Sequence, residues 1–250
     1  MTICAAKKTK APEKRKEIGL VAIPEEAWLT VQVDGRPLSR LSCSPFGQRE
    51  LVLGFLFSQD IIRAAGDVSG LRVRADRAFV RLRPGAAARL GDYHPVPVVA
   101  CSGGDVQPGL LDDLPTVHRG YDLSLPHAVR LMEQLPALAV MFKKHGGIHC
   151  SMLADMTELR ILAHREDIGR SNSVDKVVGW ALAGGVDFSR TALLTTGRIS
   201  AEMTLKCLHA GIPALISQTT LTSKALEIVR RSGLTLIGHV LKPRPILLNI

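Results

Sequence analysis

Thr191-Ala-Leu-Leu-Thr-Thr-Gly-Arg-Ile-Ser-Ala-Glu-Met-Thr-Leu-Lys-Cys-Leu-His-Ala-Gly-Ile-Pro-Ala-Leu-Ile-Ser217 carries the pattern that decides the fold. Thr191–Thr196 is a short apolar run that reads as a strand, and Ser200 can cap a helix continuing to Ala210. Gly211 and Pro213 stop that helix, and Ala214–Ser217 is a second strand. Strand, crossover helix and strand in one stretch make a βαβ unit, whose strands run parallel. The same grammar extends both ways. Downstream, Thr222–Arg231 reads as a helix ended by Gly233, and Leu234–Leu241 as a strand. Upstream, Asn172–Ala183 places Val174, Val177, Val178, Ala181 and Leu182 on one helical face, and Ile148–Ala154 and Leu159–Ala163 are strand-like. Ser124 can cap a helix with Pro126 in its first turn, and Pro136 starts another. The alternation predicts an α/β unit with a mostly parallel sheet covered on both faces.

The first part of the chain reads differently. Trp28–Val33 alternates with period two and meets Asp34-Gly35, a favoured hairpin turn, with Leu38–Cys43 returning. After Pro45 and Gly47, Leu51, Val52, Phe55 and Leu56 share a helical face, and Leu71–Ala75 with Ala78–Arg83 suggest a second hairpin. From Arg83 to Gly120, prolines and glycines are too frequent for regular structure apart from Val96–Ala100. The expected organisation is therefore a disordered basic tail over 1–19, a small α+β domain over 20–92, a linker over 93–122 and an α/β domain over 123–250.

Composition narrows the function. The 250 residues are 46% hydrophobic with net charge +9, of which the tail (Lys7 to Glu17) supplies +4. The remaining excess suits an anionic ligand, while the 4% aromatic content and the lack of basic–aromatic interleaving argue against nucleic acid. Five scattered cysteines, 4, 43, 101, 150 and 207, and an N-terminus with no apolar core indicate a reducing, cytoplasmic setting. No run approaches the ~18 apolar residues of a membrane helix, so no membrane partner is expected.

Two strand-to-helix junctions carry the candidate chemistry. Glu166-Asp-Ile-Gly-Arg-Ser-Asn172 precedes Asp175-Lys176, and Thr196-Gly-Arg-Ile-Ser-Ala-Glu202 precedes Lys206. Each sets Gly-Arg at the start of a helix, where free N–H groups and a guanidinium favour an anion. Gly-Arg can equally cap a helix and pair with Asp167 or Glu202. His145-Gly-Gly-Ile-His149 lies between a helix and a strand; its spacing fixes no metal geometry, and a hydrogen-bonding His149 is expected instead. His164-Arg-Glu166 has the H-x-E form of zinc deaminases, but P-C-x-x-C does not follow. Walker and G-x-G-x-x-G loops are absent. In Cys101-Ser-Gly-Gly-Asp105, small residues leave a thiol accessible in a basic setting that favours the thiolate, whereas Cys43 and Cys207 fall in strand and helix patterns.

These motifs resemble the E-D-V-G-R-H-N-A-x-D-K-x-x-G signature of the formate dehydrogenase accessory sulfurtransferases, the FdhD/NarQ family, at Glu166 to Gly179. Thr196-Gly-Arg-Ile-Ser-Ala-Glu-Met203 with Lys206 and Ala210-Gly-Ile-Pro213 resembles a second family segment. Phe142 with Gly146-Gly-Ile-His149, Gly54-Phe-Leu56 with Ile61-Ile62, and Gly233–Gly238 extend the resemblance over about residues 25–240. It implies a sulfur carrier that accepts persulfide sulfur from a cysteine desulfurase on Cys101. The sulfur would pass to a molybdenum or tungsten bis(molybdopterin guanine dinucleotide) for the formate dehydrogenase catalytic subunit. It further implies a cytidine-deaminase-like three-layer αβα fold in the second half, a homodimer, and GDP as a mimic of the cofactor. The implied cofactor-binding residues are Gly146, Gly147, His149, Glu166, Asp167, Gly169, Arg170, Asn172, Asp175, Lys176, Gly197, Arg198, Ser200, Glu202, Lys206, Gly238, Lys242 and Arg244. The sequence departs from the family at the loop, where C-G-x-C-G is often found and Gly104 holds the second cysteine's position. Ser171 replaces a histidine, His145 a threonine, and Gly238-His-Val-Leu241 stands for Gly-Phe-x-Arg. Two rival readings follow: a cofactor-binding chaperone without sulfur transfer, and a guanine-nucleotide-binding regulator.

Overall fold

The computed structural model describes residues 23–90 and 114–250; the basic tail, Val96–Ala100 and the Cys101 loop lie outside the described residues. Two sheets organise the molecule. The first hairpin, β1 (Ala27–Val33) and β2 (Arg36–Cys43), turns through Asp34 and Gly35, both at positive φ. Helix α1 (Gln48–Ser58) follows, then the hairpin β3 (Val68–Arg74) and β4 (Arg77–Leu82). Their order is β2-β1-β4-β3, with β1 and β4 parallel. Alternation sends Leu29, Val31, Val33, Ala78, Val80 and Leu82 to one core face, against Leu51, Val52, Phe55 and Leu56 of α1. Irregular structure is expected from Arg83 on, but Pro84–Leu90 forms helix α2. Pro84 stands in its first position, where a missing N–H costs nothing, and three alanines follow; the proline starts a helix here instead of breaking one.

The second sheet follows α3 (Leu125–Met132), α4 (Leu135–Leu138) and α5 (Val140–His145). Ser124 caps α3 by accepting from His127 N, and Pro126 sits in its first turn. Then come β5 (His149–Asp155), β6 (Arg160–Asp167), α6 (Arg170–Ala183), β7 (Thr191–Thr195), α7 (Ala201–Ala210), β8 (Ala214–Ser217), α8 (Ser223–Ser232), β9 (Thr235–Gly238) and β10 (Ile246–Leu248). The sheet order is β10-β9-β8-β7-β5-β6. Leu153, Leu193, Leu215 and Leu236 face α6, α7 and α8. Met152, Leu194, Ile216 and Ile237 face Ala128, Leu131, Met132 and Leu135. The α/β class and the helix-covered sheet stand, but the expected mostly parallel sheet is a mixed one. Only β7–β8 and β8–β9 are parallel pairs, while β5–β6, β5–β7 and β9–β10 are antiparallel. The hairpin β5–β6 has only Met156–Leu159 as a tight connection, too short for a crossover, and so enters the sheet antiparallel.

The two sheets meet where α1 crosses α6. A Cβ on Gly54 would lie 1.8 Å from the Asp175 carbonyl oxygen, and one on Gly179 1.9 Å from that of Glu50. Backbone therefore touches backbone, and only glycine permits it at these two positions.

Candidate functional site

Strand directions assemble the site. Because β5 runs against both neighbours, its amino end lies between the carboxyl ends of β6 and β7, pairing His149 with Asp167 and Ser151 with Thr195. The loops after β6, β7, β8 and β9 and the Gly146-Gly147 turn before β5 thus share one sheet edge, the place where open α/β sheets bind ligands. The two Gly-Arg junctions come together there: a Cβ on Gly197 would stand 3.0 Å from Arg170 Cβ and 3.5 Å from its Cδ. Gly197 lets the Arg170 stem lie across the second junction. Arg198, Lys242 and Arg244 are exposed along this edge.

The loop conformations are fixed from below. Thr195 Oγ1 accepts from Gly197 N at 3.1 Å, and the Ser217 hydroxyl donates to Gly197 O at 2.7 Å. Ser200 caps α7 by accepting from Met203 N. Gly146 ends α5 at φ 69°, and Gly169 is the N-cap of α6. His149 Nδ1 lies 3.4 Å from Thr196 Oγ1. Burial, with Arg170 beside it, holds its imidazole below the usual value, so the ring is neutral at pH 7. Gly238 ends β9 below His239, whose N–H donates to Thr219 O at 2.9 Å.

Several residues expected at the ligand are engaged beneath the rim. Asp167 and Lys176 form a fully buried pair at 2.6 Å. The Asp167 carboxylate also accepts from Ser44 N, Gly169 N and Asn172 Nδ2, and Asn172 donates to Ser42 O at 2.7 Å. These bonds tie the end of β2 to the first junction. Asp175 and Lys206 pair at 2.7 Å, with Ser58 donating to Asp175 and Glu202 3.6 Å from Lys206. Burial raises the Asp175 carboxyl; at Lys206, burial is outweighed by Asp175 and Glu202, and the ammonium stays protonated. Ser171 donates to Glu202. The Glu166 carboxylate accepts from Met141 N and Phe142 N at 3.1 and 2.6 Å, compensating the positive end of α5 ahead of the Gly-Gly turn. Charged motif residues thus divide: Arg170 and Arg198 belong to the edge, and Asp167, Asp175, Lys176 and Lys206 to its foundation.

Sequence reasoning misses Ser42, Ser44, Ser217 and Thr219, which frame the loops. Ser217-Gln-Thr-Thr-Leu-Thr222 is a third strand-to-helix junction, detectable by its position after a strand although it lacks Gly-Arg. A cleft of about 510 Å³ lined by His118, Tyr121, Thr157 and Arg190 lies at the opposite sheet edge and includes none of the expected residues. The described cysteines are sealed. Cys43, Cys150 and Cys207 have no exposed surface, and burial pushes Cys43 to about 11, Cys150 to about 12 and Cys207 higher still. Such thiols stay protonated and unreactive near neutral pH. Cys101, the expected sulfur acceptor, lies outside the described residues.

Comparison with known proteins gives the same family as the motifs. A model of the FdhD/NarQ family matches residues 24–247. A sulfur carrier protein FdhD of Geobacillus kaustophilus is 31% identical over 233 residues, covering 91% of this chain and 86% of that protein. A sulfur carrier protein FdhD of Sulfolobus acidocaldarius is 30% identical over 222 residues, covering 88% and 85%. A crystal structure of a formate dehydrogenase accessory protein from Desulfotalea psychrophila superposes with a TM-score of 0.76 at 25% identity, covering 91% of this chain and 89% of that one.

Proposed function

Because this chain belongs to the FdhD/NarQ family, we propose that it carries sulfur to a molybdenum or tungsten bis(molybdopterin guanine dinucleotide) destined for formate dehydrogenase. Cys101 is the carrier. Its thiolate attacks the outer sulfur of a desulfurase persulfide, the desulfurase thiolate leaves, and Cys101 keeps the terminal sulfur as its own persulfide. With Gly104 in the second loop position, Cys101 has no neighbouring loop thiol with which to close a disulfide, so the persulfide is the loop's loaded form.

The observation that carries this reading is the convergence of Arg170 and the Gly197-Arg198 junction at one sheet edge, beside a neutral His149. Two guanidinium side chains and the helix N-termini of α6 and α7 suit a ligand with pyrophosphate groups. Gly146, Gly147, Gly169, Gly197, Ser200 and Gly238 would shape the surface, and Arg198, Lys242 and Arg244 would meet the phosphates. Asp167, Asn172, Asp175, Lys176 and Lys206 would hold the two junctions in register, and Glu166 the Gly-Gly turn. The sealed state of Cys43, Cys150 and Cys207 also supports the assignment, since it removes three of the five thiols from contention.

The test is intact-mass measurement after incubation with a cysteine desulfurase and free cysteine. One added sulfur atom, lost in Cys101→Ala and released by a reductant, is expected. An adduct that persists in Cys101→Ala would refute the assignment to Cys101. GDP binding without any sulfur adduct would favour the chaperone reading.

A further inference from the structure

The four-stranded sheet packs one face on α1 and, among the described residues, leaves the other open. Trp28 of β1, Arg40 of β2, Arg72 and Arg74 of β3, and Arg77, Phe79 and Arg81 of β4 all project from that open face and are exposed. Register sets Arg74 directly opposite Arg77 and Arg72 opposite Phe79, and Thr30 lies between Arg77 and Arg40. Like charges directly opposite one another weaken a sheet. Little on the face relieves this repulsion. Arg77 has Asp76 at 3.9 Å, with both side chains more than half exposed. Among the described residues, Arg72, Arg74 and Arg81 have no carboxylate within ion-pair distance. Exposed cations elsewhere do pair, as in Arg63–Asp60 at 3.0 Å and Lys224–Glu227 at 2.9 Å. Against the carboxylates of Asp76 and of Glu26, which accepts from the Ser42 hydroxyl beside Trp28, the five arginines leave the face net positive.

We propose that this open face is a docking surface for an acidic stretch of a partner protein. The proposal does not depend on sulfur transfer. A protein partner fits better than single-stranded nucleic acid because of what the aromatic rings are doing. Strand-binding platforms present open ring faces on which successive bases stack. Here, among the described residues, the face carries two exposed rings, Trp28 at 46% and Phe79 at 41%. The Arg40 guanidinium lies over the first at 4.8 Å, and register sets Phe79 opposite Gln32, four residues along β1 from Trp28, so the two rings make no continuous stack. A guanidinium stacked on a ring keeps its edge N–H groups available to a carboxylate. Four strands ~4.8 Å apart and about 20 Å long give a patch of roughly 400 Å². That is about half of what each partner buries in a standard interface. Such a patch suits a transient, electrostatically steered encounter that weakens with salt.

The test uses the full chain and two fluorescent probes, a poly-glutamate peptide and an oligothymidylate of equal charge, followed by anisotropy. Arg72→Glu with Arg74→Glu is compared with Arg230→Glu with Arg231→Glu, which makes the same charge change on the exposed last turn of α8. The peptide should bind wild type and lose roughly tenfold or more in affinity in the first variant, but stay within about twofold in the second. Arg72→Gln with Arg74→Gln gives a milder loss in the same direction and covers any folding defect of the reversed pair. No peptide binding, or equal loss in both double variants, overturns the proposal. Tighter binding of oligothymidylate than of peptide, lost in the first variant, also overturns it by assigning the face to nucleic acid.

Discussion

Gly54→Ala tests the junction of the two sheets. The new Cβ would fall 1.8 Å from the Asp175 carbonyl oxygen, against the ~3.4 Å of an ordinary carbon–oxygen contact. Backbone atoms cannot rotate away as a side chain would, so α1 and α6 must part by roughly 1.5 Å. A gap of that size forfeits well over a quarter of the dispersion energy along the crossing. Overpacking of this kind costs about 3 kcal/mol. Alanine returns ~1 kcal/mol through its better helix propensity, leaving a net loss of about 2 kcal/mol. For a chain this long that is roughly 4–8 °C in Tm, measured by circular dichroism or calorimetry. Gly85→Ala in α2 is the control, since nothing lies within 4 Å of its would-be Cβ; it should be neutral or slightly stabilising. If Gly54→Ala melts at or above wild type, the helices do not cross backbone to backbone and the reasoning fails.

Four further outcomes are expected. Asp175→Asn or Lys206→Met leaves a buried partner uncompensated and should cost ~3–5 kcal/mol in urea unfolding; a loss below about 1 kcal/mol would mean that water reaches the pair. Native protein treated with iodoacetamide near neutral pH should label Cys43, Cys150 and Cys207 far more slowly than the same protein in denaturant; rapid native labelling of Cys150 would contradict its burial. His149 has a lowered folded pKa, so the unfolded chain takes up the proton first. Its contribution is complete above the ordinary 6.5 and is lost as pH falls toward the folded value; His149→Gln should flatten that acid limb, and an unchanged slope would show the ring to be solvated. Arg198→Ala should leave Tm within ~1 °C because the side chain is exposed, yet weaken GDP at least several-fold by calorimetry; unaltered affinity would remove Arg198 from the ligand site.

Much of the fold is legible because local signals agree with the tertiary result. Ser200, Gly211 and Pro213 bound α7 as written, and Asp34-Gly35 makes its hairpin. What is not legible is pairing over distance. Nothing in Ile148–Ala154 announces that this strand will lie antiparallel between β6 and β7, yet that placement brings His149 between the two junctions. Pro84 misleads because proline both ends and begins helices, and the alanines that follow decide for the latter. At the candidate site, the two Gly-Arg junctions read from the sequence come together at one sheet edge. The roles of the charged residues one turn later are decided by burial, which spacing does not report. Lys176 has the pattern of a ligand residue, but its ammonium is in contact with Asp167 and over the Phe46 ring at 4.4 Å. Basic–aromatic interleaving is missing along the chain but appears across strands, where Arg72 stands opposite Phe79.

The glycine crossing of α1 and α6 also has a mechanical meaning. Hinged or sliding units move on a layer of side chains that can change rotamer while backbones stay apart. At Gly54 and Gly179 that layer is missing, and displacement meets peptide planes directly. The joint behaves as a weld rather than a bearing. On the proposed function, movement that accompanies ligand exchange would fall to the loops at the sheet edge, and the distance from the arginine face to that edge would stay constant. A partner docked on the arginine face would then be held at a fixed reach from the other sheet.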